Sequence, residues 1–213
     1  MKILMINGSP HKDGTTARAL KEMAEEFARL GVESEVAWLG VKPIYSCTGC
    51  GACAKLKRCV FNDAVNKVRP KLAEADGFVF GTPVHYAGMS GAMTSFMGRL
   101  FFSEMYANGY EHLRLKPVCG VVCARRGGTT ATFDQINKYF ALAQMPVVSG
   151  RYWNELFGMN AADGEKDAEG LLNLRTLARN MHYMIRCRQV AAEHGVLPPP
   201  MEPPVFTNFA DGK

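Results

Sequence analysis

Short unbroken apolar runs alternate with longer amphipathic stretches along most of the chain, and the two patterns predict strands and helices in turn. Residues 2–6 (KILMI) are too few for a helix and read as a buried strand. Residues 15–30 carry Leu20, Met23, Ala24 and Phe27 on one helical stripe, and Gly31 is placed to end it. Residues 33–39 predict a second strand, 77–81 (GFVFG) a third, 117–123 (PVCGVVC) a fourth and 145–149 (MPVVS) a fifth. Between them fall a short helix near 64–73, a helix from about Ser90, and a helix near 130–143. In the second of these, Met93, Phe96, Met97, Leu100 and Phe101 recur at the spacing of one buried face. A long last helix over 167–194 turns Leu171, Leu174, Ala178, Met181 and Ile185 inward, and the prolines of LPPPMEPP then forbid further helix.

Five apolar strands separated by helices predict an α/β fold, a parallel sheet covered on both faces. Two topologies compete, a doubly wound, flavodoxin-like five-stranded sheet and a half-Rossmann arrangement. The chain of 213 residues suits one domain, expected over 1–195 with a cysteine loop at 47–59, followed by a proline-rich tail at 196–213. The net charge of +5 comes from scattered basic residues, which weakly favours an anionic ligand and gives no case for a nucleic-acid partner. No apolar run reaches the length of a membrane span, and MKILMINGSP lacks the features of a signal peptide, so a cytoplasmic location is expected. Phe102, Met105 and Tyr106 add more large apolar side chains than one helical stripe needs. They predict either a homo-oligomer interface or burial beneath the tail.

In either topology the loops that follow the strands gather at one edge. The first, NGSPHKDGTT, has neither a dinucleotide nor a P-loop glycine pattern. It offers Ser9 and then Thr15 and Thr16 at a helix start, where hydroxyls and free N–H groups suit a phosphate dianion, with His11 and Lys12 adding charge. The plainer alternative is that Thr15 caps its own helix. The third loop, Thr82, Pro83, Val84, His85, Tyr86, Ala87 and Gly88, is polar and aromatic directly after a buried strand and could lie against a flat ring. The fourth, Arg125, Arg126, Gly127 and Gly128, brings two cations to the same edge. No Ser-His-Asp set or paired carboxylates compete as a catalytic centre.

Four of the seven cysteines, Cys47, Cys50, Cys53 and Cys59, are spaced C-x2-C-x2-C-x5-C in the loop after the second strand. Three thiolates at such intervals can wrap one face of a compact cluster and the fourth can close it. Gly49 and Gly51 let the loop curl, and Lys55, Lys57 and Arg58 offset negative charge. Zinc sites usually set two C-x2-C pairs further apart, and a redox-active disulfide is a further alternative. Cys119, Cys123 and Cys187 are expected to be core packing.

The segments GSPHKDGTT, GTPVHYAGMSGAMTSFMGR and ARRGGTTATFDQ together resemble the NADPH-dependent FMN reductase family, over residues 1–152. That family is flavodoxin-like. The resemblance implies an FMN-dependent oxidoreductase taking electrons from NAD(P)H or a ferredoxin. It places FMN phosphate on Ser9, Thr15 and Thr16, with His11 beside it, although the family pattern has Arg at position 11 and Asn at position 15. It sets the isoalloxazine ring against Thr82, Pro83, Val84, His85, Tyr86, Ala87 and Gly88, with Arg125, Arg126, Gly127 and Gly128 near the other ring edge. The cysteine spacing resembles the iron–sulfur flavoprotein branch, which implies a [4Fe-4S] cluster on Cys47, Cys50, Cys53 and Cys59 and a homodimer or homotetramer. The competing functional readings are an electron-carrier or redox-sensing flavoprotein without its own substrate, and a zinc-stabilised binding protein.

Overall fold

The computed structural model describes residues 1–203 and 205. In chain order the elements are β1 (Lys2–Asn7), α1 (Thr15–Arg29), β2 (Glu33–Trp38), α2 (Cys53–Leu56), α3 (Ala64–Val68), α4 (Lys71–Glu74), β3 (Gly77–His85) and β4 (Gly88–Met89). There follow α5 (Gly91–Asn108), β5 (Val118–Ala124), α6 (Thr129–Leu142), β6 (Glu155–Phe157), α7 (Ala161–Gly164) and α8 (Ala168–Glu193). The sheet runs β2-β1-β3-β5-β6, with β4 folded back antiparallel on the end of β3. All other pairs are parallel, with Ile3 opposite Ser34 on one side and Gly77 on the other. This order is flavodoxin-like and rules out the half-Rossmann alternative.

Strand periodicity decides which layer each side chain enters. Ile3 and Met5 of β1 pack under α1 and α8 with Leu20, Phe27, Leu174 and Met181. Leu4 and Ile6 face α5 and α6 with Phe80, Phe96, Leu100 and Phe140. Both faces of the central strands are therefore dry, which is why their sequences are apolar throughout rather than alternating. Ser90 caps α5, its hydroxyl accepting from Met93 N at 3.2 Å.

Three expectations need correction. Residues 145–149 do not form the fifth strand: Val147 makes only an isolated parallel bridge with Val118. Pro146 has no N–H to give a ladder, and the chain then swings out. The excursion is pinned by Asn173 of α8, whose Oδ1 accepts from Arg151 N at 2.6 Å and Tyr152 N at 3.0 Å. The chain returns as β6, which pairs with the far half of β5, Val122 opposite Glu155. The helix expected near 64–73 is two short helices divided at Pro70. Cys187 is exposed rather than packed in the core, because it lies beyond Ile185 on the outward side of α8. The expected tail falls partly outside the described residues. Within them, residues 196–203 are neither helix nor strand, and the carbonyl of Pro199 accepts from Arg114 Nη1 at 2.9 Å.

Candidate functional site

The C-terminal ends of β1, β3 and β5 open onto a cleft of about 710 Å³. It lies where the strand order reverses between β1 and β3, the place where doubly wound sheets take their ligands. The first loop and the start of α1 contribute Ser9, His11, Lys12, Asp13, Gly14, Thr15 and Thr16. The end of β3 contributes Pro83, Val84 and His85, and the end of β5 contributes Cys123, Ala124 and Arg125. Gly158, Met159 and Asn160, after β6, complete the lining.

The first loop is folded on its own polar groups. Asn7 Oδ1 accepts from Ser9 N at 3.0 Å, and Ser9 Oγ accepts from His11 N at 3.1 Å. The Ser9 hydroxyl keeps its proton for another acceptor. Gly14 occupies the N-cap of α1 and brings no side chain to it, and the first turn holds no acidic residue. The first-turn N–H groups and the positive end of this 15-residue helix are thus available at the cleft. Thr15 does not cap its own helix: its hydroxyl donates to the carbonyl of Gly158 at 3.1 Å. Trp38 at the end of β2 braces the loop from behind, its Nε1 donating to Ser9 O at 2.8 Å.

Thr82 is fully buried behind the cleft, its hydroxyl accepting from Ser90 N at 3.2 Å and donating to Pro83 O at 3.1 Å. β3 runs past the predicted end to His85 and turns back through Tyr86 and Ala87 to Gly88. Tyr86 has φ of +57° and is fully exposed. A side chain in this left-handed conformation costs about 1–2 kcal/mol, so the hairpin holds an aromatic ring in solvent one residue beyond the cleft wall. Arg125 lines the cleft; Arg126 and Gly127 are exposed beside it. Gly128 has φ of +96°, and a Cβ there would lie 2.9 Å from Val84, so glycine lets the arginine loop close on the end of β3. Thr82, Tyr86, Ala87, Gly88, Arg126, Gly127 and Gly128 flank the cleft without lining it. Burial pushes the Cys123 thiol up to about 12, so it borders the cleft as a neutral group.

The cysteine loop leaves the strand-end edge and packs against the middle of α5. Cys47, Cys50, Cys53 and Cys59 line one small cavity with Phe61, Arg99 and Phe102. This cavity shares no lining residue with the cleft. Ser90 at the start of α5 and Arg99 are separated by about 13 Å of helix. Gly49 and Gly51 adopt φ of +67° and +68°, left-handed turns that curl the loop between the cysteines. Among the described residues no three His, Cys, Asp or Glu side chains are grouped so as to hold a metal ion. The four cysteines at this cavity, Cys47 and Cys50 exposed, Cys59 half-buried and Cys53 buried, are the donor type that ligates iron–sulfur groups. Burial raises the Cys53 thiol, whereas the Ala52 N–H and then the Thr48 hydroxyl lower that of Cys50.

Gly158, Met159, Asn160 and Arg99 were not predicted. A three-residue strand leaves little periodic signal for the first three. Arg99 sits in a helix with buried residues on most sides, so sequence spacing gives it no face.

The model of the NADPH-dependent FMN reductase family matches residues 1–157. An iron–sulfur flavoprotein of Methanocaldococcus jannaschii is 31% identical, over 87% of this chain and 98% of its own. An NADPH azoreductase of a Bacillus species is 29% identical over 92% of this chain and 99% of its own. Among solved structures, RosB, with a bound riboflavin-5'-phosphate derivative, aligns at a TM-score of 0.68 and 15% identity, covering 100% of this chain and 93% of its own. An archaeal flavodoxin aligns at 0.58 and 13%, covering 87% and 99%. Among the described residues no helix is long and apolar enough to cross a membrane.

Proposed function

Because the chain belongs to the NADPH-dependent FMN reductase family, in its iron–sulfur flavoprotein branch, we propose that it is an FMN-dependent oxidoreductase of the cytoplasm. It passes electrons from NAD(P)H or a ferredoxin, through FMN, to an acceptor. The observation that carries the reading is the uncapped positive end of α1 beside a free Ser9 hydroxyl in a cleft of about 710 Å³, within the size range of cofactor pockets.

In this reading Ser9, Thr16 and the first-turn N–H groups hold the FMN phosphate, with His11 beside it, and Lys12 supplies positive charge against the nearby Asp13. Thr15 contributes its N–H, since its hydroxyl already serves Gly158. Pro83, Val84 and His85, with Thr82 behind them and Tyr86, Ala87 and Gly88 beyond, form the ring platform. His85 would donate a hydrogen bond at the ring edge, and Tyr86 would cover the ring from solvent. Arg125, Arg126, Gly127 and Gly128 bound the other edge, where Arg125 would hold developing negative charge. Bound FMN supplies hydride acceptance and one-electron transfer.

Cys47, Cys50, Cys53 and Cys59 would hold a [4Fe-4S] cluster that stores one electron at a time. The cavity and the cleft lie apart on one chain, which favours a homodimer or homotetramer in which a second copy brings a cysteine loop to the flavin. Phe102 and Tyr106, a tilted ring pair with centroids 4.5 Å apart beside the cavity, supply apolar surface for that contact. Steady-state oxidation of NADPH or NADH with excess FMN or a quinone tests the activity. Turnover is expected; reduction by ferredoxin or dithionite alone would make the chain an electron carrier instead.

A further inference from the structure

The fourth cysteine is the one the fold grips. Asn66 of α3 clamps its backbone: Cys59 N donates to Asn66 Oδ1 at 3.0 Å, and Asn66 Nδ2 donates to Cys59 O at 2.8 Å. Its sulfur is held from α5. Arg99 donates to Cys59 Sγ from Nε at 3.3 Å and from Nη2 at 3.1 Å.

Arg99 is only 1% exposed. A cation so deep is costly unless its charge and donors are matched. Asp63, the N-cap of α3, takes Nη1 at 2.5 Å and Nη2 at 3.1 Å. The carbonyls of Phe61 and Tyr45 accept at 3.2 and 3.4 Å, and the Phe61 ring lies 4.9 Å from the guanidinium carbon. With its donors committed on these sides, the guanidinium cannot turn away from the sulfur. The two donors facing Cys59 make a fork, an arrangement suited to an anionic acceptor and wasted on a neutral thiol, which accepts weakly.

We propose that Arg99 is the positioning residue of the cysteine site: it fixes the Cys59 sulfur in place and donates N–H···S bonds that raise the reduction potential of the cluster held there. The inference rests on the cluster reading above. Such hydrogen bonds withdraw electron density from a ligating sulfur and stabilise the added electron. Cys47, Cys50 and Cys53 then supply the other ligands from the glycine-bearing loop at the same cavity.

The test uses the full chain, reconstituted anaerobically with iron and sulfide, as wild type, Arg99→Lys and Arg99→Gln. Iron, sulfide and FMN are counted, and the cluster is titrated under EPR observation. Arg99→Gln is expected to keep its FMN and to lower the cluster midpoint. At the wild-type midpoint its reduced-to-oxidised ratio falls tenfold or more, 59 mV for a one-electron couple. Arg99→Lys keeps a charge opposite Asp63 but loses the fork; it shifts the midpoint in the same direction, and alone decides if the glutamine variant does not fold. A wild-type midpoint and EPR signature in a variant that holds its cluster would overturn the role of Arg99 while leaving the cluster reading intact. A wild-type chain without iron and sulfide overturns both.

Discussion

The Thr15 hydroxyl donates to the Gly158 carbonyl at 3.1 Å, joining the start of α1 to the segment after β6 across 143 residues of sequence. The bond commits the Thr15 hydroxyl proton, and it closes the cleft on the side formed by Gly158, Met159 and Asn160. Thr15→Ala should therefore cost about 0.5–1.5 kcal/mol of folding stability, the net value of one hydrogen bond. Urea unfolding measures it, and an unchanged midpoint would show that the cleft does not depend on this closure.

Ser9 and Thr16 are buried at the same end of the cleft, Ser9 with its proton uncommitted. The double change to Ala should weaken FMN binding by roughly 1–3 kcal/mol, the cost of leaving phosphate oxygens without partners. Thr15→Ala, which leaves the backbone N–H in place, should weaken it less. Flavin fluorescence quenching measures both. Equal affinity in wild type and double variant would remove the phosphate from this loop.

Much of this architecture is readable in the chain. The stripe Leu20, Met23 and Phe27 and the run 2–6 each predict one element, because burial on one face or on two imposes a period that survives in sequence. The edge of the sheet is not readable. Residues 145–149 are as apolar as a strand yet make one bridge, while Glu155–Phe157, with an acid at its head, pairs with β5 because Asn173 redirects the chain. The cleft's first, third and fourth loops follow from strand order, whereas the grip on Cys59 depends on Arg99, Asp63 and Asn66 meeting across α3 and α5. No spacing rule links those three residues.

Arg125 lines the cleft and Arg126 does not. A cation beside the ring stabilises negative charge on reduced FMN, so Arg125→Gln should lower the two-electron potential, and Arg126→Gln should lower it less. Potentiometry on the FMN-loaded chain decides. Equal potentials in all three proteins would make these arginines surface groups or contacts for the NADPH phosphate.

Burial alone would raise the Glu26 carboxyl, but hydrogen bonds from Arg179 on α8 and from Arg29 hold it below its ordinary value. A depressed folded value contributes stability above the ordinary carboxylate range, lost as the pH falls through the folded value. Stability should thus drop below about pH 4.3, and Glu26→Gln should flatten that drop while lowering stability at pH 7. Urea midpoints measured from pH 7 to pH 3 test this; parallel curves for the two proteins would mean the ion pairs of Glu26 contribute nothing to acid sensitivity.

In the proposed function one chain carries FMN in the cleft and an iron–sulfur cluster on Cys47, Cys50, Cys53 and Cys59. Iron and acid-labile sulfide measured beside FMN, on chain purified or reconstituted without oxygen, test it most directly. One FMN with about four iron and four sulfide per chain is expected. Changing any of the four cysteines to Ser should remove iron and leave FMN, and Cys119→Ala should leave the iron unchanged. Stoichiometric zinc, or a chain that takes up no metal after anaerobic reconstitution, would contradict it.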